Sequence, residues 1–381
     1  MTDPAAVGRG PDGAVGGRPR VLVLRALGLG DLLAGVPALR ALRRAFPEYE
    51  TVLAAPASLA PVAAATGAVN RLLPTAAPGR AVPCGLAWTG PPPEVAVDLH
   101  GCGPSSHLLL RRLDPGRLLA FAHPGTPEIT GPDWRAGEHE RARWCRLLTW
   151  YGVPADPADL RLPPPRAVSP APGAVVVHPG ADAAARRWPP ERYGAVVREL
   201  LRRGYRVALT GGPGEDAVLD RVVAAAGADW HAAEAGTDRL AAPAEAGTAG
   251  HAGPARGSGA GPAAPAETGG GLAVFRGGLP FEELSALFAG AAAVVSGDTG
   301  VAHLAVAHAT PSVTLFGPVS PALWGPPPGG RQLVLWHPGP AGGPPGDPHG
   351  AAPDPRLLRV RPAEVLDALL TLLGHPEVPA P

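Results

Sequence analysis

The fold of this chain is decided by residues 20–39, RVLVLRALGLGDLLAGVPAL. A continuous apolar run, residues 21–24, leads into a glycine turn at Gly28 and Gly30, and apolar residues then recur at helical spacing. This order predicts a buried strand, a tight turn and an amphipathic helix, which form the first unit of a parallel sheet. Asp31 follows the turn, at the strand end where open α/β sheets bind their ligands.

Strands and helices alternate along the rest of the chain in two blocks, separated by a Pro-rich linker at residues 162–173. The first block has predicted strands at 51–54 and 95–99 and predicted helices at 59–66 and 105–113. The second has predicted strands at 174–177, 206–209, 292–296 and 312–316, and predicted helices at 190–203, 215–225, 281–289 and 301–308. The sequence therefore predicts an α/β protein with two Rossmann-like, doubly wound domains, residues 19–165 and 174–338.

Three segments lie outside this alternating pattern. Residues 1–18 are rich in Gly and Pro and are predicted to be a disordered tail. Residues 241–271 are almost wholly Ala, Gly, Pro, Thr and Glu, which predicts a disordered insertion in the second domain. Residues 356–375 are predicted to carry a C-terminal helix, because apolar residues recur there at helical spacing.

The composition excludes several classes of protein. The 381 residues include 33 acidic residues and 33 basic ones, all Arg, so the basic excess of a nucleic-acid-binding protein is missing. Three cysteines without a CxxC pair predict neither a disulfide framework nor a zinc site, and no other cluster predicts a bound metal. The N-terminus lacks the apolar core of a signal peptide, and no long apolar stretch predicts a membrane span. We therefore expect a cytoplasmic protein.

Residues 296–303, SGDTGVAH, repeat the strand, turn and helix pattern in the second block. Asp298, Thr299 and Gly300 stand where a helix is predicted to start, and the backbone N–H groups and dipole there favour a phosphate. The alternative is an ordinary capped helix with His303 as an interior histidine. The small residues favour the anion, because they allow close backbone approach.

Two further strand ends in the second block carry polar residues. Arg186 and Arg187 follow residues 178–180, HPG; their guanidinium groups suit a diphosphate, but a solvated surface pair is an equal alternative. Glu215 follows a glycine-rich turn and is predicted either to bind ribose hydroxyls or to be an ordinary acid of the first helical turn.

In the first block, three polar residues also have two possible roles, one structural and one functional. Asp31 is either the N-cap of its helix or a catalytic group. Asp98 and His100 end a predicted strand and either line the cleft or form a turn.

Taken together, four segments of the chain resemble glycosyltransferase family 9, the heptosyltransferase-like group. They are residues 25–33 with Pro37 and Leu39, residues 178–180 with 186–189, residues 209–215, and residues 296–304 with Ala307, Pro311 and 316–318. The resemblance implies a GT-B fold, in which two Rossmann-like domains face each other across a cleft. It also implies an inverting, metal-independent transfer from a nucleotide-diphosphate sugar, ADP-heptose in the best-known members, to a hydroxyl of a glycolipid or glycan. No cofactor beyond this donor is implied.

The resemblance also implies roles for individual residues. Asp31 matches the general base that takes the proton of the acceptor hydroxyl. Arg186 stands where the family has a lysine at the donor diphosphate, Glu215 matches the ribose-binding acid and Leu279 matches a residue beside the adenine. The other donor-binding residues are Gly180, Arg187, Asp298, Thr299, Gly300, Val301 and His303, and the acceptor-side residues are Gly30, Asp98 and His100.

Two other functions use the same cleft. One is a GT-B-fold sugar-nucleotide epimerase, which needs no acceptor, and the other is a non-catalytic nucleotide-sugar-binding protein. The expected partners are the donor and a glycolipid or glycan acceptor, without nucleic acid. Membrane contact is expected to be at most peripheral, at the inner face; Arg111 and Arg112 beside residues 108–110 either touch lipid or form a solvated helix face.

Overall fold

The computed structural model describes residues 17–227, 231–233, 271–340 and 346–374. All but the last two residues of the predicted tail, 1–18, and all but the last residue of the predicted insertion, 241–271, lie outside these ranges. Two parallel sheets form on either side of the Pro-rich segment, so the predicted pair of Rossmann-like units is confirmed.

The first sheet has the strand order β3-β2-β1-β4-β5, and every pair of neighbours is parallel. Its elements are β1 (Arg20–Leu24), α1 (Leu29–Ala45), β2 (Glu50–Ala55), α2 (Ala60–Ala65), β3 (Arg71–Pro74), β4 (Val95–Asp98), α3 (Ser105–Arg111), β5 (Arg117–Leu119) and α4 (Glu140–Trp150). The chain leaves β1 on one side and later returns to β4 on the other. The loops after β1 and β4 therefore open a crevice between them, which is where open α/β sheets bind ligands.

The second sheet is also parallel, with the order β12-β11-β10-β6-β7-β9-β8. Its elements are β6 (Val175–His178), α5 (Pro190–Arg202), β7 (Val207–Thr210), α6 (Asp216–Ala226), β8 (His231–Ala233), β9 (Leu272–Phe275), α7 (Phe281–Ala289), β10 (Ala293–Gly297), α8 (Gly300–Ala307), β11 (Ser312–Leu315), α9 (Pro321–Trp324), β12 (Gln332–Leu335) and α10 (Pro362–Leu372). Here the crevice lies between β6 and β10.

The two domains meet through α1 and α8, which pack against each other. Leu32 and Val36 of α1 share one buried apolar cluster with Val301 and Leu304 of α8. Burial of these side chains removes apolar surface of both domains from water and so stabilises one arrangement of the domains. The same contact brings the carboxyl ends of the two sheets face to face.

The strands and helices predicted in the two blocks have observed bounds within two residues of the predicted ones, and α1 begins at Leu29, inside the predicted glycine turn. The predicted C-terminal helix is α10. Several elements were not predicted: β3, β5, β8, β9, β12, α4 and the short α9. The strand β5 is only three residues long, which is too short to give a clear pattern. The helix α4 has no apolar stripe in its sequence, because its buried face carries Glu140, Arg141 and Arg143 beside Trp144 and Leu147.

Candidate active site

A cavity of about 580 Å³ lies between the carboxyl ends of the two sheets. The first domain contributes Gly28, Leu29, Gly30, Asp31 and Arg80 to its wall, and the second domain contributes most of the rest. Of the predicted site residues, the cavity brings together Gly30, Asp31, Gly180, Arg186, Glu215, Leu279, Asp298, Thr299, Gly300, Val301 and His303.

Asp31 lies in the first turn of α1, and one of its two carboxylate oxygens contacts other residues of the first domain. Its Oδ2 accepts a hydrogen bond from the backbone N–H of Gly28 at 3.0 Å and lies 3.4 Å from Nη1 of Arg80. The N-cap interpretation of Asp31 is wrong, because Gly28 is the N-cap and Asp31 is the third helical residue, bonded back to it. Both contacts use Oδ2, so Oδ1 is the oxygen that can accept a substrate hydroxyl.

Arg25, for which the sequence predicted no separate role, fixes the backbone around Asp31. Its side chain is fully buried and its Nε donates to the backbone oxygen of Asp31 at 2.6 Å. Nη1 donates to the backbone oxygen of Leu99, and Nη2 forms an ion pair of 3.0 Å with Glu140 of α4. A buried arginine thus ties together the ends of β1 and β4 and the helix α4, which holds Asp31 in place.

The N-termini of α1 and α8 converge on the cavity from opposite domains. A Cβ atom on Gly30 would lie 2.9 Å from Cδ2 of His303 and 3.2 Å from Cα of Gly300, so only glycine permits this approach. Thr299 is the N-cap of α8, and its Oγ1 is buried without a hydrogen-bond partner among the described residues. Free N–H groups, the positive ends of two helices and an unpaired hydroxyl make this corner suited to an anion.

Arg186 and Asp298 add one charge of each sign beside this corner. Nη1 of Arg186 lies 3.4 Å from the backbone oxygen of Asp298, and its Nε is buried without a partner among the described residues. Burial raises the pKa of Asp298 to about 6, although the guanidinium of Arg186 acts in the opposite direction. Burial lowers the pKa of His303, on the same wall, to about 4, so this imidazole is neutral at pH 7.

Glu215 is positioned by contacts at the ends of β6 and β7. Its Oε2 accepts a hydrogen bond of 2.7 Å from the backbone N–H of Gly212, and a Cβ atom on Gly180 would overlap the same carboxylate. His178 lies 3.9 Å away through Nε2, and its Nδ1 is 3.0 Å from Oγ1 of Thr210. Burial lowers the pKa of His178, which keeps the ring neutral beside the carboxylate.

Three predicted residues lie outside the cavity wall that the described residues form. Nε of Arg187 donates to the backbone oxygen of Ala181 at 2.8 Å, so the structure does not bring this predicted donor-binding residue to the cavity wall. Asp98 is fully buried, and its Oδ1 accepts the N–H groups of His100 and Gly101, which makes it a loop anchor rather than a cleft residue. His100 accepts the N–H of Ala26 at 3.2 Å, close to β1 but not on the wall.

The structure also adds cavity residues that were not predicted: Arg80, His178, Asp182, Trp324 and His349. Arg80 forms ion pairs with Asp31 of its own domain and with Asp182 of the other. No sequence signal marks Arg80, which lies in a loop of Ala, Pro and Gly. Trp324 and His349 could not be predicted either, because they lie far along the chain from the motifs and reach the cavity only in the folded protein.

No group of three or more His, Cys, Asp or Glu residues within the described ranges is arranged to hold a metal ion. In the same ranges, no helix has the length and apolar character that crossing a membrane requires. In α3, Leu109 and Leu110 are buried and Leu108 is exposed, while Arg111 pairs with Glu128.

Comparison with known structures shows the same fold in heptosyltransferases. E. coli ADP-heptose lps heptosyltransferase II matches with a TM-score of 0.64 at 18% identity, over 93% of this chain and 98% of that one. A family 9 glycosyl transferase from Veillonella parvula matches with 0.64 at 17%, over 94% and 98%. E. coli heptosyltransferase WaaC with ADP matches with 0.56 at 20%, over 83% and 92%. The fold is therefore GT-B, as predicted.

Sequence comparison matches the second domain to a family model. No curated protein matches the chain. The family model described as glycosyltransferase family 9 (heptosyltransferase) matches residues 163–236 and 273–339, which hold three of the four motif segments. The resemblance seen in the motifs is thereby confirmed: the second domain matches the family 9 (heptosyltransferase) model, and the whole chain has the fold of heptosyltransferases.

Proposed function

We propose that this protein transfers a sugar from an ADP-linked donor to a hydroxyl of a glycolipid or glycan, with inversion at the anomeric carbon. The observation that carries the proposal is the placement of one carboxylate, Asp31, across a single cavity from an anion site on the other domain. That site consists of the α8 N-terminus and Arg186. A base on one side and a leaving-group site on the other suit an in-line displacement.

The order of the strands supports one direction for the bound donor. Glu215, after β7, can accept hydrogen bonds from ribose hydroxyls, and Leu279, after β9, offers an apolar surface for the base. The diphosphate then falls at the crevice between β6 and β10, against Thr299, Gly300 and Arg186. The WaaC structures hold ADP and ADP-2-deoxy-2-fluoro heptose, which makes ADP and ADP-heptose the first ligands to test.

The reaction needs one proton transfer and one displacement. Oδ1 of Asp31 takes the proton of the acceptor hydroxyl while the hydroxyl oxygen forms a bond to the anomeric carbon. The bond from that carbon to the diphosphate oxygen breaks, and its electron pair leaves on ADP. Arg186 and the N–H groups of α8 stabilise the developing negative charge. This chemistry assigns no step to a metal or to another cofactor.

The proposal is tested with the Asp31→Asn variant. Removing a general base should lower the rate of transfer by about 10²–10⁴-fold. ADP affinity should stay close to that of the wild-type protein, because Asp31 lies on the opposite domain. Titration calorimetry with ADP and a coupled assay of ADP release from ADP-heptose, with a lipid-linked glycan acceptor, measure the two effects.

Other outcomes separate the competing functions. Conversion of the donor sugar without an acceptor would indicate an epimerase, and ADP-sugar binding without turnover would indicate a binding protein. Unchanged transfer by Asp31→Asn would overturn the assignment of the base. Transfer should also persist in EDTA, and loss of activity that added Mg²⁺ or Mn²⁺ restores would contradict the metal-free mechanism.

A further inference from the structure

One side of the cavity has no role in the donor binding and the reaction proposed for this protein. The nucleoside side lies beyond β6, at β7 and β9, and the diphosphate corner lies between β6 and β10. The next strand in the opposite direction is β11. Because the sugar is bonded to the second phosphate, it must extend away from the nucleoside, towards β11 and the first domain.

Trp324 stands on this side of the cavity. It ends α9, in the loop that follows β11, and lines the cavity together with Val319. Its ring packs edge-to-face on His303, with 5.8 Å between the ring centres, and a Cβ on Gly30 would touch His303. The indole is therefore close to the space between the α8 N-terminus and Asp31, where the anomeric carbon has to lie during transfer.

His349 reaches the same side from a strap formed by residues 346–354. The backbone N–H of Ala185 donates to the oxygen of Gly350 at 3.0 Å, and the N–H of Asp354 donates to the oxygen of Ala185 at 3.1 Å. These bonds seat the strap on the turn that carries Arg186. Pro348 and His349 consequently form part of the cavity wall beside the diphosphate corner.

Both side chains have unused polar groups. Neither the indole N–H of Trp324 nor the ring of His349 makes a hydrogen bond to any described residue, and both residues line the cavity. A sugar offers hydroxyl groups to such donors and acceptors, and its C–H faces pack well on an aromatic ring. An aromatic surface with polar groups at its edge is the arrangement that a pyranose fits.

We infer that Trp324 and His349 form the subsite for the transferred sugar and determine which hexose or heptose the protein accepts. The inference rests on the proposed function, because it takes the direction of the donor from it. Trp324 supplies the packing surface, and His349 hydrogen-bonds a sugar hydroxyl. Neither residue touches the nucleoside.

The test compares the binding of ADP and of ADP-heptose to the full-length protein by titration calorimetry. Trp324→Ala and His349→Ala should each lower the affinity for ADP-heptose by about tenfold and leave that for ADP unchanged, so the ratio of the two affinities falls. Trp324→Phe retains an aromatic surface and should recover most of the loss. Glu215→Gln, on the nucleoside side, should weaken both ligands equally.

Trp150→Ala is the matched control, because this tryptophan is 49% exposed on α4 and lies outside the cavity wall. It should leave both affinities unchanged. An unchanged affinity ratio in both Trp324→Ala and His349→Ala, with ADP still bound, would overturn the inference. Failure of the wild-type protein to bind ADP would instead overturn the proposed function, so the two failures are distinguishable.

Discussion

Arg186 is the residue whose identity differs from the family pattern, because the resemblance places a lysine at its position. Arg186→Ala should lower the rate of transfer by about 10²–10³-fold, since it removes a donor to the leaving diphosphate. Arg186→Lys keeps the charge and should recover part of the rate, although it loses the planar fork of the guanidinium. Single-turnover kinetics with ADP-heptose measure both variants.

Arg187→Ala is the control for this pair, because the Arg187 side chain bonds Ala181 and lies outside the cavity wall. Its transfer rate should remain near that of the wild-type protein. Equal losses in Arg186→Ala and Arg187→Ala would contradict the assignment of the diphosphate to Arg186.

Burial of the single residue Asp298 makes the free energy of unfolding depend on pH. Burial raises the pKa of this carboxyl from 3.8 to about 6, so between these values the folded state binds more protons than the unfolded state. The free energy of unfolding therefore decreases as the pH rises through this window, by no more than about 3 kcal/mol from this group. Asp298→Asn should be more stable than the wild-type protein to urea at pH 8, with little difference at pH 4.

The exposed Asp367 of α10 supplies the comparison. Asp367→Asn should shift the urea midpoint by the same small amount at pH 4 and at pH 8. A stability difference between Asp298→Asn and the wild-type protein that does not grow with pH would show that burial of the charged carboxylate costs little.

At the scale of elements, the approach of α1 to α8 sets the distance between the base and the leaving-group site. Gly30→Ala places a Cβ 2.9 Å from His303 and 3.2 Å from Cα of Gly300, so the two helix ends must move apart. We expect transfer to fall by at least about tenfold, since small displacements of reacting groups reduce rates strongly. ADP affinity should fall less, because most of that site lies on the second domain.

Gly85→Ala is a matched substitution in the same domain, where an added Cβ meets nothing within 4 Å. It should leave transfer unchanged. Wild-type activity in Gly30→Ala would show that the close helix contact is not required for the reaction.

At the scale of the whole molecule, one apolar cluster crosses from the first domain to the second through α1 and α8. Because each domain loses part of its buried surface when the other unfolds, we expect a single calorimetric unfolding transition. ADP at 100 times its Kd should stabilise that transition as a whole, by about 2.7 kcal/mol. Two separate transitions, of which ADP moves only one, would show that the domains unfold independently.

The local pattern of the sequence predicted much of this architecture. Strands such as β1 and β10 contain continuous apolar runs that lead into glycine-containing turns, and the helices after them have a clear period, so a window of a few residues identifies them. The pattern failed for α4, whose buried face carries the ion pair of Glu140 and Arg143, because charged side chains that are paired inside the protein look solvent-exposed in sequence.

The two Rossmann-like domains, the resemblance to family 9 and the residues at the strand ends, including Asp31, Glu215 and Thr299, could be predicted from the sequence because they depend on neighbours along the chain. The pairing of Arg80 with Asp31, the burial of Asp98 as an anchor and the shared cavity wall of Trp324 and His349 become visible only in the folded protein. These contacts join residues far apart in sequence. They depend on how the two domains pack, and no local window of residues contains that information.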